Sequence, residues 1–440
     1  MSTGIMSLLP IVLGGLLAFG CLIGAFNRLR HKRLIDDMPT SKTQGVFIGL
    51  TELRGTAESE TPLTSYLAEI PCVQHSWQIK EHWSRTVTET YRDAQGRPQT
   101  RTRTESGWTQ VASGGQSIPF YLKDDTGVIR IVPEGATIHD ITTFNETCKR
   151  DNSLYFGKGP VREIANSDHR RQFHETAIPL HATLYVVGHA RERQDVVAAE
   201  IAQDESSPMF LISTRTEKQI SSSYGRWFWF WLILGLVTAN GGIAVRGLLE
   251  QSAFVANWQP YVLASVGFLV ALCFGWVWTV YNSLVNLHHR VEQAWSQVDV
   301  QLKRRNDLIP NLVHIVEGYQ AHEAETQQLI TELRNQIVAT PPGVAGPDFK
   351  GLAPALRATI ESYPELKASE SFLRLQQALV DTEQRIALAR DYFNEVATFH
   401  NTRLEIIPDR FAAALARLRA RPLMSAADFE RAPIQIQLVS

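Results

Sequence analysis

Residues 258–305 read WQPYVLASVGFLVALCFGWVWTVYNSLVNLHHRVEQAWSQVDVQLKRR. Up to Val280 the stretch has no charged residue and is long enough for the roughly 20 apolar residues that cross a bilayer. Beyond it the pattern changes without a Gly or Pro break. Leu284, Leu287, Val291, Ala294, Val298, Leu302, Arg305, Ile309, Leu312, Val316 and Tyr319 alternate steps of three and four with one exception. That is the narrow stripe of a helix packed along its length against others. One helix is therefore expected to leave the membrane and run on the order of 80 Å into the cytoplasm at 1.5 Å per residue. Pro310 lies inside it, and a kink is expected near 306–310.

Two further apolar stretches read as spans, giving transmembrane helices at 1–27, 226–246 and 258–280. No Lys or Arg precedes the first, and Arg28, Arg30, Lys32 and Arg33 follow it in a basic linker, 28–44. Arg215, Lys218 and Arg226 precede the second, and His288, His289, Arg290, Lys303, Arg304 and Arg305 follow the third. By the positive-inside rule the N-terminus and the short loop 247–257 lie outside, and both large polar regions are cytoplasmic. A cleaved signal is the weaker reading of the first span, because its positive charges come after the apolar run. Trp227, Trp229, Trp231, Trp258, Trp276, Trp278 and Tyr281 sit at span ends as interfacial anchors. Gly20 and Gly24 form a Gly-x-x-x-Gly, a weak packing signal. Asn240, with no ionisable partner in its span, reads as packing and not as an ion path.

The 440 residues carry 43 Lys plus Arg against 45 Asp plus Glu, a net charge of −2. Such a balance argues against nucleic-acid binding. Cys21, Cys72, Cys148 and Cys273 are isolated, with no Cys-x-x-Cys pair, so no cysteine zinc site is expected.

Residues 45–225 read as strands. Trp83 to Trp108 alternate Thr with other residues around Asp93-Ala94-Gln95-Gly96-Arg97-Pro98, the pattern of a long exposed hairpin. Phe120 to Ile131 form a second hairpin, and 182–188 and 209–213 are later strands. A short helix is expected near His169–Phe173. Asp124-Asp125-Thr126-Gly127 reads as a turn and Gly157-Lys158-Gly159 as another, not as a phosphate loop. His169, His174, His181 and His189 lack metal-ligand spacing. Pro62-Leu63-Thr64-Ser65, Ile70-Pro71-Cys72-Val73, Pro119-Phe120-Tyr121-Leu122 with Asp125-Thr126-Gly127-Val128, and Tyr185-Val186-Val187-Gly188 follow in order. Together they resemble the GIDE domain, a β-rich module of a membrane ubiquitin ligase and bacterial relatives. The ligase's RING finger has no counterpart here, so the resemblance does not carry ligase activity over.

Residues 281–421 read as a helical bundle. Its first helix should end near Thr340-Pro341-Pro342-Gly343, and a short helix is expected near 352–361. The second long stripe is Phe372, Leu375, Leu379, Thr382, Ile386, Ala389, Phe393, Val396 and His400. A last helix, Phe411–Ala420, is expected to be a solvated bundle helix more than a lipid-binding one, and 422–440 forms a tail. Tyr281-Asn282-Ser283-Leu284-Val285, Ala294 to Val313, Gly318-Tyr319, Tyr363-Pro364-Glu365-Leu366-Lys367-Ala368, Asn394 and Asn401-Thr402 resemble the LemA family. That resemblance implies a membrane-anchored bacterial bundle linked with envelope stress, with neighbouring membrane proteases and, in one branch, with intracellular membrane compartments. A typical member has one span; the extra span and β domain depart from it.

Within that motif Trp295, Asp299, Lys303, Arg304, Arg305, Asp307, Pro310, Asn311, Tyr363, Pro364 and Lys367 are the assembly candidates. Asp299 to Lys303 is an i,i+4 pair on paper. Arg305 falls on the apolar stripe and needs an acidic partner, Glu323 or Glu383, a device that fixes register or oligomeric state. The chain thus reads as three spans, an all-β cytoplasmic domain (sandwich or barrel) and a long antiparallel bundle. Its expected role is a non-enzymatic scaffold of the bacterial inner membrane that self-associates and contacts lipid, with other membrane proteins such as proteases as further partners. The alternative is a sensor whose β domain binds a ligand or peptide. No nucleophile, base or metal spacing supports catalysis, and no cofactor is expected.

Overall fold

The computed structural model describes residues 2–92, 98–193, 198–205, 207–249, 258–319 and 370–424. It divides into two compact units, Thr40–Glu217 and the remainder. Three helices are long and apolar enough to cross a membrane, as the sequence predicts: α1 (Ser2–Asp36), α3 (Glu217–Leu249) and α4 (Gln259–Tyr319). Ala18 and Leu22 of α1 and Phe268 of α4 are buried against Leu232, Leu236 and Leu272. Lipid offers no hydrophobic drive between spans, so close backbone approach decides the packing. It comes at Gly14 and Gly242, not at Gly20. A Cβ on Gly14 would stand 2.7 Å from the Thr238 carbonyl oxygen, and one on Gly242 would collide with that of Pro10, whereas a Cβ on Gly20 would meet no other part of the protein within 4 Å. Gly24 does pack, against the Trp231 ring. Asn240 bridges two spans through the Ser265 hydroxyl at 3.2 Å, the packing role expected of it.

α4 passes from span to bundle without interruption and includes Pro310. α5 (Glu370–Glu405) returns antiparallel to it. His288 meets His400, Trp295 meets Phe393 and Arg305 meets Glu383, so residue n faces residue 688 − n throughout. The described parts of both predicted stripes form the seam, and the side chains of Ile309, Leu312, Val316, Tyr319 and Phe372 lie outside the described residues. Leu284, Leu287, Val291, Ala294, Val298, Leu302 and Arg305 are buried on one side; Leu379, Thr382, Ile386, Ala389, Phe393, Val396 and His400 on the other. The expected helix end near Thr340 and the helix near 352–361 lie outside the described residues. The last helix, α6, runs Asp409–Leu415, starting earlier and ending sooner than predicted. Its Ala412 and Ala413 pack on Val280 and Leu284, where α4 leaves the apolar span.

The β unit holds a small closed barrel. Strands β2 (Gly49–Glu58), β6 (Phe120–Lys123), β7 (Val128–Ile131), β12 (Ala199–Ala202) and β11 (Thr183–Glu192) pair in that order, and β11 pairs back on β2. Leu53, Phe120, Leu122, Ile131, Val186 and Ile201 fill it. Short strands β1 (Thr40–Ser41), β8 (Thr137–His139) and β13 (Leu211–Ser213) flank the ring. A second sheet has β4 (Pro71–Arg92) between β5 (Pro98–Ser117) and β10 (Ser167–Pro179), with β9 (Ile141–Lys149) beyond β10 and β3 (Leu63–Thr64) at the start of β4.

Two sequence readings here meet different fates. The 120–131 hairpin is β6–β7, and Asp124 is its turn residue. Its carboxylate accepts the Thr126 and Gly127 amides at 2.7 and 2.9 Å and the Thr43 amide at 2.8 Å. The expected helix at His169–Phe173 is instead strand β10, and the short helix α2 stands at Ser153–Gly157, capped by Asn152. Arg171, Phe173, Glu175 and Ala177 alternate as the buried face of β10. With two of those four charged, the period-two signal is hidden from hydropathy.

Candidate functional site

Among the described residues no group of three His, Cys, Asp or Glu side chains is placed to hold a metal ion. What the membrane unit builds is a buried charged network where spans and bundle meet. α1 continues past its apolar stretch, which carries Arg33, Asp36 and Asp37 beyond the membrane. Arg33 Nη2 donates to both Asp409 oxygens at 2.7 and 2.8 Å. Arg403, near the end of α5, donates from Nε to Asp37 at 2.7 Å and stands 3.7 Å from Asp409. Arg33 and Arg403 thus meet Asp37 and Asp409 in a site where Arg33, Asp37 and Asp409 are all buried, and Arg290 adds a third base whose charge interacts with Asp37. Burial pushes the Asp37 carboxyl up, against the pull of Arg403 and Arg33. Beside it, the Ser221 hydroxyl of α3 donates to Asp36 at 2.6 Å, and Lys32 pairs with Asp36. The network therefore ties α1, α3, α5 and α6 together at one level.

Higher in the seam Arg305, 1% exposed, faces Glu383 at 3.8 Å. Of the two partners expected for it, Glu383 is the one described; Glu323 lies outside the described residues. Arg304 reaches Asp381 at 3.8 Å, a second cross-helix pair. The Asp299–Lys303 pair does not form: Asp299 Oδ1 is buried without a hydrogen bond, and Lys303 is exposed. Trp295 sits edge-on to Phe393 with its ring centroid 5.3 Å away, yet keeps an exposed side. Asp307, Pro310 and Asn311 are exposed; Tyr363, Pro364 and Lys367 lie outside the described residues. Of the aromatic anchors, Trp227, Trp229, Trp258, Trp278 and Tyr281 face outward. Trp231 covers Gly24, and Trp276 packs on the Val280–Ala412 cluster.

The β unit has its own buried charges. Arg171 and Glu81 are fully buried and bonded at 2.9 Å. Glu175 accepts the backbone amides of Tyr66, Leu67 and Ala68 at 2.8–3.0 Å. Glu52 accepts the Thr40 and Tyr185 hydroxyls at 2.6 Å each. Burial pushes Glu52 up to about 7, with the two hydroxyls opposing. Its folded pKa thus lies above the ordinary 4.5. Stability from this site is full below about pH 4.5 and is lost as pH rises through about 7, a change on the order of 3 kcal/mol. Glu52→Gln should flatten that slope. Urea unfolding of the full chain in detergent between pH 5 and 8, followed by amide exchange in β11, measures it; an equal slope in both proteins would count against the assignment.

The predicted hairpin is β4–β5, and among the described residues no third strand pairs with its outer half. Pairing of β4 with β10 stops at Trp83, while pairing with β5 runs on to Arg92 and Pro98. Thr86, Thr88 and Thr90 oppose Thr104, Thr102 and Thr100, and the intervening residues include Glu89 opposite Arg101. The result is a polar two-stranded arm; its turn, 93–97, lies outside the described residues.

Comparison with known proteins matches both regions. The LemA family profile covers residues 294–438, and the GIDE profile, described as E3 Ubiquitin ligase, covers 88–245, each about a third of the chain. The C-terminal region is therefore of the LemA type and the β unit of the GIDE type. The GIDE match starts within the hairpin and runs through the second span, later at both ends than the sequence motifs suggest. Protein LemA of Metamycoplasma hominis is 24% identical over 35% of this chain and 72% of its own length. Magnetosome protein MamQ of Magnetospirillum gryphiswaldense is 23% identical over 35% of this chain and 66% of its own length. Magnetosome protein MamQ 2 of Paramagnetospirillum magneticum is 22% identical over 34% of this chain, which spans 65% of that protein's length. No solved structure matches the chain.

Proposed function

We propose that this chain is a non-enzymatic scaffold of the bacterial inner membrane, self-assembling through its spans and bundle and organising lipid or membrane-protein partners, proteases among the possible ones. The observation that carries this reading is the fixed connection between membrane and bundle. α4 belongs to both, and the Arg33–Asp409–Arg403–Asp37 network ties the returning helices to α1. Such a frame offers a surface held fixed to the membrane. Trp295, Lys303, Asp307, Pro310 and Asn311, exposed along α4, are its assembly contacts with a second copy. The similarity to LemA and the magnetosome proteins supports a role at membranes. The basic run Arg28, Arg30, Lys32 and Arg33 supports an outside N-terminus with the bundle (281–421) and β domain (45–225) in the cytoplasm.

The mass of the purified complex in detergent and in nanodiscs, with negative-stain images, tests this. A discrete symmetric assembly is expected; a monomer in both media overturns the scaffold. A second reading has one observation of its own, the polar β4–β5 arm, which suits capture of a peptide or ligand by a membrane sensor. Removing residues 86–104 should then abolish specific crosslinks made by the full chain, and unchanged crosslinks would refute it.

A further inference from the structure

α5 runs toward the membrane as α4 runs away from it, and the constant 688 − n pairing sets where α5 arrives. Continued by that rule, Ile406–Pro408 reach the level of residues 280–282, where α4 emerges from the apolar span. Two other contacts fix the same level. Ala412 and Ala413 pack with Val280, Leu284 and Trp276, and Asp409 is bonded to Arg33 just past the end of the first span.

At that level α6 and the turn before it present an uncovered apolar face. Ile407, Phe411 and Leu415, spaced by four, are 69%, 70% and 71% exposed. That is as bare as the mid-span residue Phe274, at 73%. Arg410, Arg417 and Arg419 of the same segment are exposed, against one exposed acid, Glu405 at the end of α5, while Asp409 is already bonded to Arg33. Apolar side chains accompanied by arginines beside an aromatic belt have the composition of a surface that lies in the headgroup layer. We propose that Ile407, Phe411 and Leu415 dip into the leaflet from which α4 emerges, giving the bundle a second, interfacial hold on the membrane through anionic lipid. The face stands at the level where α4 leaves its apolar span, which favours the bilayer over any soluble partner. It takes up the lipid-binding reading of the last helix, the less favoured of the two that its sequence allows.

The test is photocrosslinking of the full chain in vesicles of phosphatidylethanolamine and phosphatidylglycerol. Benzoyl-phenylalanine replaces Phe411 in one protein, Val300 in a second and Phe274 in a third. All three positions are exposed, so the probe disturbs no core. Lipid adducts at 411 should approach those at 274 and exceed those at 300 by about tenfold. Replacing phosphatidylglycerol with phosphatidylcholine should lower the yield at 411 and leave that at 274 unchanged. A protein–protein crosslink at 411 in place of the lipid adduct would assign the face to a second copy and overturn the proposal. Adducts at 274 alone would mean that α6 is solvated, which overturns it equally.

Discussion

Asp409→Ala should free the returning helices α5 and α6 from α1, at a cost of about 3–5 kcal/mol. The carboxylate is 2% exposed, and both its oxygens accept from Arg33. Removing it leaves a buried guanidinium whose Nη1 already lacks a hydrogen bond, with Arg403 and Arg290 nearby and Asp37 and Asp36 left to balance them. An uncompensated buried charge costs more than the pair contributes, so loss of one partner is worse than loss of both. Arg33→Met combined with Asp409→Leu should therefore recover most of the stability that Asp409→Ala loses. Amide exchange in the last turns of α5 and in α6 reports the effect, since those segments open first when the tie is cut. Unaltered exchange in Asp409→Ala would show that Ala412 and Ala413 hold α6 without the network.

Arg171→Met should cost the β unit about 4 kcal/mol or more. Arg171 is the largest fully buried side chain, and every arm of its guanidinium is used. Nε bonds Glu81 at 2.9 Å, Nη1 bonds the carbonyls of Tyr155 and Pro160 at 2.7 and 2.8 Å, and Nη2 reaches that of Arg162 at 3.2 Å. Its centre lies 4.0 Å from the Tyr155 ring centroid, where burial strengthens a cation–π contact. Methionine fills much of the volume but strands Glu81 and three carbonyls. Arg171→Lys should be almost as damaging, because one ammonium on a flexible stem cannot serve acceptors on three sides. Glu81→Gln should be milder, as the amide keeps an acceptor for the Ser167 hydroxyl at 2.6 Å. Chemical unfolding of the full chain in detergent, followed by amide exchange in β10, ranks the three. Equal stability of Arg171→Lys and the parent would contradict the fork-geometry argument.

The spans and both bundle stripes could be read from the chain because they are periodic, and a period needs no knowledge of the partner. Arg305 was readable for a related reason: a charge on an apolar stripe demands an acid, and Glu383 was one of two in reach. The base network was not readable. Arg33 and Asp409 are separated by 376 residues, and Arg33 among four basic residues after a span looks like an ordinary topology signal. Strand β10 was misread because its inward face carries Arg171 and Glu175, so hydropathy reports polar where burial is complete. Barrel closure depends on β11 pairing with β2 across the whole unit, and nothing local in either strand encodes that contact. The glycines show the same limit: Gly20 sits in the familiar four-residue spacing, yet the close crossing uses Gly14 and Gly242, on different helices.

The absence of a break between the third span and the bundle makes α4 a lever. Tyr319 lies 39 residues beyond Val280 in the same helix, about 60 Å at 1.5 Å per residue. Spans tilt to match the thickness of the bilayer around them. A tilt change of about 10° at the membrane would swing a point that far along a stiff rod by about 10 Å. A thicker or thinner bilayer is thereby converted into a displacement as large as a helix diameter at the distal end.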